Sequence, residues 1–193
     1  MSATLDRRQA VPELIPRPED YLIVSGLAGA AKDTAALTED ADFLFTMAGA
    51  MGGACSIGLG LALARPERRV LVVTGDGELL MNLGALATIG AMAPPNLKIL
   101  CIDTGRYGET GNQETHTART MRLDLAAAAA GFRTVLLVDA PSALATGART
   151  LREENGPIFL LLKVGEGPPA PGKRDFDPAA CRLRFRGALA ERP

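Results

Sequence analysis

The chain has 193 residues, of which 47% are hydrophobic and 22% charged, so it has the material for one ordinary core and is not a disordered chain. Lys and Arg number 21 against 22 Asp and Glu, a net charge of -1, which leaves no electrostatic footprint for nucleic acid. Three widely spaced cysteines (Cys55, Cys101, Cys181) and the single histidine, His116, argue against a disulfide framework and a His/Cys zinc cluster, and favour a reducing, cytoplasmic setting.

Residues 1–18 carry three prolines and scattered charges and no signal-peptide apolar core; they read as an extended arm. Tyr21 to Gly26 is a short apolar run suited to a buried strand, followed by a helix over Ala28 to Leu37. Phe43 to Ala64 is uncharged and long enough to cross a bilayer, but it holds five glycines and many alanines. It reads instead as a strand at Phe43 to Met47, a loop at Gly49–Gly53 and a small-residue helix from Cys55 to Arg65. Arg69 to Thr74 is a strong strand that runs into Gly75-Asp76-Gly77. Leu79, Leu83, Leu86 and Gly90 then follow helical spacing up to Pro94 and Pro95. Leu97 to Ile102 is the next strand and Asp103 to Gln113 a polar loop. A helix at Leu123 to Ala130, a strand at Thr134 to Val138, a helix at Pro141 to Glu154 and a strand at Pro157 to Val164 complete the alternation. A Pro-rich tail begins at about residue 165.

Continuous apolar strands alternating with helices indicate a mostly parallel sheet covered on both faces, a three-layer α/β/α domain. The organisation expected is an arm over 1–18 and a single domain over 19–193. Ligands in such folds sit beyond the carboxyl ends of the strands, where Gly49–Gly53, Gly75–Gly77 and Asp103–Gln113 fall. A helix N-terminus after a glycine turn suits phosphate. A carboxylate between the glycines would repel a bare phosphate, and makes sense if a hard cation such as magnesium bridges the two. Gly58-Leu59-Gly60 lacks a preceding strand, and Gly167 to Lys173 opens no helix, so neither is a credible phosphate loop.

The GDG turn followed, 28 positions after Asp76, by Thr104 in Asp103-Thr104-Gly105-Arg106-Tyr107-Gly108 resembles the diphosphate-binding half of thiamine-diphosphate enzymes. The stretches MAGAMGGACSIGLGLALARPERRVLVVTGDGELLMNLGALATIG and YGETGNQETHTA, and the ending RLRFRGAL, resemble phosphonopyruvate decarboxylases and the β subunits of sulfopyruvate decarboxylase. The resemblance covers roughly residues 20–190 and implies the thiamine-diphosphate-binding fold. By this resemblance Asp76, Thr104 and the Arg106 carbonyl would bind Mg2+. Gly75, Gly77, Glu78, Tyr107, Gly108 and Thr110 would meet the diphosphate. The Gly49 carbonyl would accept from the aminopyrimidine, and Met51 would lie beneath the cofactor. Thr104 stands where the family has an asparagine, and Glu78 adds negative charge unless it lies along the helix facing solvent. The activating glutamate of such enzymes belongs to a pyrimidine-binding domain, which this chain lacks, so the catalytic residue is expected on an α-type partner subunit. The resemblance implies a β-type subunit of a 2-oxo acid decarboxylase, a carboxy-lyase, with self-association through the small-residue face. A carboligase or oxidative enzyme on the same cofactor, or a non-catalytic scaffold, are the alternatives. His116 reads as solvent-exposed or as an anion contact; Arg106 and Arg119 as candidates to attract an acidic substrate; Cys55 and Cys101 as core residues.

Overall fold

A computed structural model describes residues 4–47, 49–171, 175 and 177–191. The chain opens with α1 (Arg7–Leu14), not an extended arm. Asp6 caps it, its carboxylate accepting from the Arg8 amide. Pro12 forfeits one backbone bond inside the helix, and burial of Ala10, Val11, Leu14 and Ile15 outweighs that loss. Then come β1 (Leu22–Ser25), α2 (Ala28–Thr38), β2 (Leu44–Thr46), α3 (Ala54–Ala64), β3 (Val70–Gly75), α4 (Asp76–Met81), α5 (Ala85–Met92) and β4 (Leu97–Asp103). A small hairpin of β5 (Arg106–Tyr107) and β6 (Gln113–Glu114) follows. The chain continues through α6 (Leu123–Ala129), β7 (Thr134–Val138), α7 (Pro141–Glu153), β8 (Ile158–Lys163) and α8 (Pro178–Glu191).

Six strands form one parallel sheet in the order β2-β1-β3-β4-β8-β7. Side chains alternate between its faces. On β3, Leu71 and Val73 join a core with Val11, Leu14, Ala30 and Leu144 from α1, α2 and α7. Val70 and Val72 join the opposite core, with Leu59, Leu86, Ile89 and Ala127 from α3, α5 and α6. Burial on both faces is why these strands lack polar alternation. The uncharged stretch from Phe43 is divided into β2, a glycine loop and α3, and among the described residues no helix is long and apolar enough to cross a membrane.

Two local readings change. The helix expected from Leu79 through Gly90 is two helices, because Asn82 leaves helical geometry and its side-chain amide donates to the Gly52 carbonyl at 2.9 Å. The last part of the chain is not all tail. From Pro178 it is helical and lies against β2, with the Phe185 and Phe45 rings 5.6 Å apart. Part of the Gly167–Lys173 motif lies outside the described residues.

Candidate functional site

The strand order reverses direction between β1 and β3, and open parallel sheets bind ligands in the crevice beyond such a point. The cleft found there is lined by the start of α2 (Leu27 to Ala30), the Gly75–Glu78 turn, Thr104 and the Arg106–Thr110 loop. Met51 and Met81 flank it, both about half exposed. Gly75 of β3 pairs in register with Ile102 of β4, so Asp76 and the chain just beyond β4 are neighbours.

Asp76 is 2% exposed, and its two carboxylate oxygens face different groups. Oδ1 accepts from the Thr104 amide at 3.2 Å and lies 3.5 Å from Thr104 Oγ1, which is itself 3.3 Å from the Arg106 carbonyl oxygen. Oδ2 accepts from the hydroxyls of Thr115 at 2.6 Å and Thr117 at 3.1 Å. Burial pushes the Asp76 carboxyl above its ordinary value, the Thr115 hydroxyl pulls it back, and the charge of Asp103 raises it further. Asp103 is turned from the three-oxygen cluster: it accepts from the Gly105 amide and Thr117, and pairs with Lys163 Nζ at 2.9 Å.

The oxygens of Asp76, Thr104 and Arg106 therefore converge, as a hard divalent cation requires. Charge balance agrees. Asp76 and Asp103 are two buried carboxylates; Asp103 pairs with Lys163, and Asp76 has no ion pair among the described residues. Gly49 sits at φ 111°, and a side chain there would meet nothing within 4 Å, so the loop edge is open to an incoming group. The residues present fit a cation-bridged diphosphate.

Glu78 does not lie along the helix facing solvent. It is 8% exposed, and its Oε2 accepts from the Leu27 amide at 3.0 Å and the Thr74 hydroxyl at 3.1 Å. Its Oε2 ties the exits of β1 and β3 together, its Oε1 is buried with no hydrogen-bond partner among the described residues, and burial pushes its carboxyl up. The close approach needs Gly26: a Cβ there would lie 1.7 Å from Glu78 Oε2. Arg106 pairs with Glu166 at 2.7 Å, and the largely exposed Arg119 with Glu114 at 3.3 Å. His116 is exposed, beside a second cleft with Tyr107 and Met121. Cys55 and Cys101 are buried; burial pushes the Cys55 thiol up to about 12 and that of Cys101 well above its ordinary value, which suits core residues and not nucleophiles.

Sequence reasoning missed Thr115, Thr117 and Arg7. The threonines flank His116, Thr115 at the cap position of a short 3-10 turn over His116–Ala118 and Thr117 within it, and their spacing of two gives no signal for that. Arg7 borders the cleft from α1, with a buried pair to Asp33 at 2.6 Å.

The family described as "Thiamine pyrophosphate enzyme, C-terminal TPP binding domain" matches residues 27–161. The chain is 45% identical over 171 residues to sulfopyruvate decarboxylase subunit beta of Methanocaldococcus jannaschii, covering 89% of each. It is 40% identical over 181 residues to phosphonopyruvate decarboxylase of Streptomyces viridochromogenes, covering 91% of this chain and 44% of that protein. It thus spans less than half the length of that relative. A solved structure from Mycobacterium smegmatis, described as a thiamin diphosphate-dependent enzyme, superposes with a TM-score of 0.64 at 20% identity, over 85% of this chain and 32% of that one; it supports the fold alone. With the match over most of its length and a parallel sheet carrying the GDG turn at its carboxyl edge, the chain belongs to the thiamine pyrophosphate enzyme family, as its C-terminal TPP-binding domain.

Proposed function

We propose that this chain is the diphosphate-binding, β-type subunit of a thiamine-diphosphate-dependent 2-oxo acid decarboxylase. The observation that carries the reading is the convergence of Asp76 Oδ1, Thr104 Oγ1 and the Arg106 carbonyl at the sheet edge. The two relatives described above are both named decarboxylases, acting on 2-oxo acids that bear a second anionic group, which favours a sulfopyruvate- or phosphonopyruvate-like substrate.

In this reading Asp76, Thr104 and Arg106 hold Mg2+, and the amides at Gly77 and Glu78 with the Tyr107–Thr110 loop receive the diphosphate. The Gly49 carbonyl orients the aminopyrimidine and Met51 supports the cofactor from below. When bound, thiamine diphosphate supplies a nucleophilic carbon that adds to a 2-oxo acid and takes up the electron pair left when carbon dioxide departs. This chain's own part is to bind and orient. Its buried Asp76 carboxylate fixes the metal end, and its apolar cleft wall keeps water from the reacting end.

The share of each relative that is covered supports a partner. The same sequence is under half of a longer phosphonopyruvate decarboxylase and nearly the whole of a subunit called beta. In this reading, as the naming of that relative as a beta subunit suggests, a pyrimidine-domain partner chain completes the site and brings the activating glutamate. The buried free thiols support a cytoplasmic setting.

The test is calorimetry and carbon dioxide release on the chain assembled with its partner. Mg2+ and thiamine diphosphate are expected to bind together, Asp76→Ala to weaken that binding about 100-fold or more, and one acidic 2-oxo acid to be decarboxylated. Failure of the assembled wild-type protein to bind the cofactor overturns the reading. Binding without carbon dioxide release, with a new product from an added aldehyde, assigns it to carboligation instead.

A further inference from the structure

The segment after the β5–β6 hairpin returns to the carboxyl edge of β3. Arg106 pairs with Glu114, and the Thr115 amide donates to the Gly105 carbonyl at 2.9 Å, where Gly105 adopts φ 69°. This brings Thr115 over the GDG turn: a Cβ on Gly77 would come 3.5 Å from Thr115 Cγ2. Thr115 is 1% exposed and Thr117 9%. Both hydroxyls turn toward carboxylates of other elements and not toward their own backbone.

Four short contacts link these groups. Thr115 Oγ1 lies 2.6 Å from Asp76 Oδ2 and 2.8 Å from Thr117 Oγ1. Thr117 Oγ1 lies 3.1 Å from Asp76 Oδ2 and 2.7 Å from Asp103 Oδ1. Two hydroxyls own two protons. If Thr115 donates to Asp76 and Thr117 to Asp103, none remains between the threonines. If Thr115 donates to Thr117, Asp76 Oδ2 loses its short bond. Lys163 offsets Asp103 at 2.9 Å, while Asp76 makes no ion pair among the described residues. The hydroxyls therefore orient Asp76 and supply no opposite charge. One oxygen is held by the two hydroxyls, and the other accepts from the Thr104 amide beside Thr104 Oγ1 and the Arg106 carbonyl.

From this arrangement we infer that Thr115 and Thr117 are positioning residues that hold Asp76 for a divalent cation, with the Asp103–Lys163 pair anchoring Thr117 from behind. The inference rests on the proposed function, which supplies the cation. Groups that orient a metal-binding side chain typically affect metal affinity 10- to 100-fold. The threonines touch neither substrate nor cofactor in this role.

The experiment compares Thr115→Val, which keeps the volume and removes the hydroxyl, with Thr115→Ser, which keeps the hydroxyl. Each is measured in the assembled protein, by Mg2+ titration at saturating thiamine diphosphate with calorimetric detection, and by thermal unfolding without metal. The expected result is a rise of about tenfold or more in half-saturating Mg2+ for Thr115→Val, little change for Thr115→Ser, and metal-free unfolding midpoints close to wild type. Thr117→Val is the second variant, expected to weaken Mg2+ in the same direction, and it carries the decision if Thr115→Val does not fold. Wild-type Mg2+ affinity in a folded valine variant overturns the inference while leaving the function intact. So does equal impairment of Thr115→Ser, because the hydroxyl would then be irrelevant. A wild-type protein that binds no cofactor overturns both.

Discussion

Lys98, the second residue of β4, is almost fully buried, its Nζ donating to the Glu154 carbonyl at 2.9 Å. Burial, with the nearby Arg69 charge, lowers its pKa from the ordinary 10.5 to about 8. Below pH 8 both folded and unfolded forms hold the proton, and the cost of burying the ammonium is present in full. Between about 8 and 10.5 the unfolded form holds more proton than the folded one, so stability contributed at this site rises with pH. Urea unfolding of wild type and Lys98→Met at pH 7 and pH 10 should show the difference moving in favour of wild type at the higher pH, on the order of 1 kcal/mol once solvent screening is allowed for. An unchanged difference would show that Lys98 is not buried as described. Chemistry at this scale was unevenly legible. Asp76 announces itself by standing between two glycines after a strand. Glu78 two positions later carries the same charge, and only the exit of β1, 51 residues back, shows that it points inward.

Elements were recovered where an apolar run had one possible environment. The six sheet strands were legible because burial on both faces writes an unbroken hydrophobic run. α1 was not, because Pro12 and three charged residues break up its pattern and its stabilising partner, Asp33, lies 26 residues away on α2. The break between α4 and α5 was also hidden, since it depends on Asn82 reaching Gly52 across the site. Helix packing offers a sharper test. A Cβ on Gly90 of α5 would lie 1.7 Å from the Ala130 carbonyl oxygen, a backbone atom that cannot swing aside. Gly90→Ala should cost about 1–3 kcal/mol by urea unfolding. Gly60→Ala in α3, where a Cβ meets nothing within 4 Å, should stabilise the isolated chain by up to about 1 kcal/mol through helix propensity. Equal effects at the two positions would contradict the α5–α6 packing.

At the scale of the molecule, the order β2-β1-β3-β4-β8-β7 puts the exits of β1, β3 and β4 side by side and so makes one cleft from three distant loops. Met51, 47% exposed, and Met81, 50%, form an apolar part of its rim, and Ile57, 39% exposed, lies on the first turn of α3 after the Gly49–Gly53 loop. Under the proposed function the partner chain covers this rim. Ile57→Glu should leave the thermal midpoint of the isolated chain within a few degrees of wild type and weaken co-purification with the partner, read by sedimentation. Unaltered assembly would move the interface elsewhere.

The sequence alone determined the layered α/β class, the order of the strands along the chain and the GDG carboxylate, because each is written in local pattern: apolar runs, glycine punctuation and a charge at a strand end. Only the tertiary structure decided which groups surround that carboxylate. Thr115 and Thr117 reach Asp76 across 39 and 41 positions, through a hairpin return that no local propensity encodes. A threonine carries no signature of its role until folding sets a charged oxygen opposite its hydroxyl.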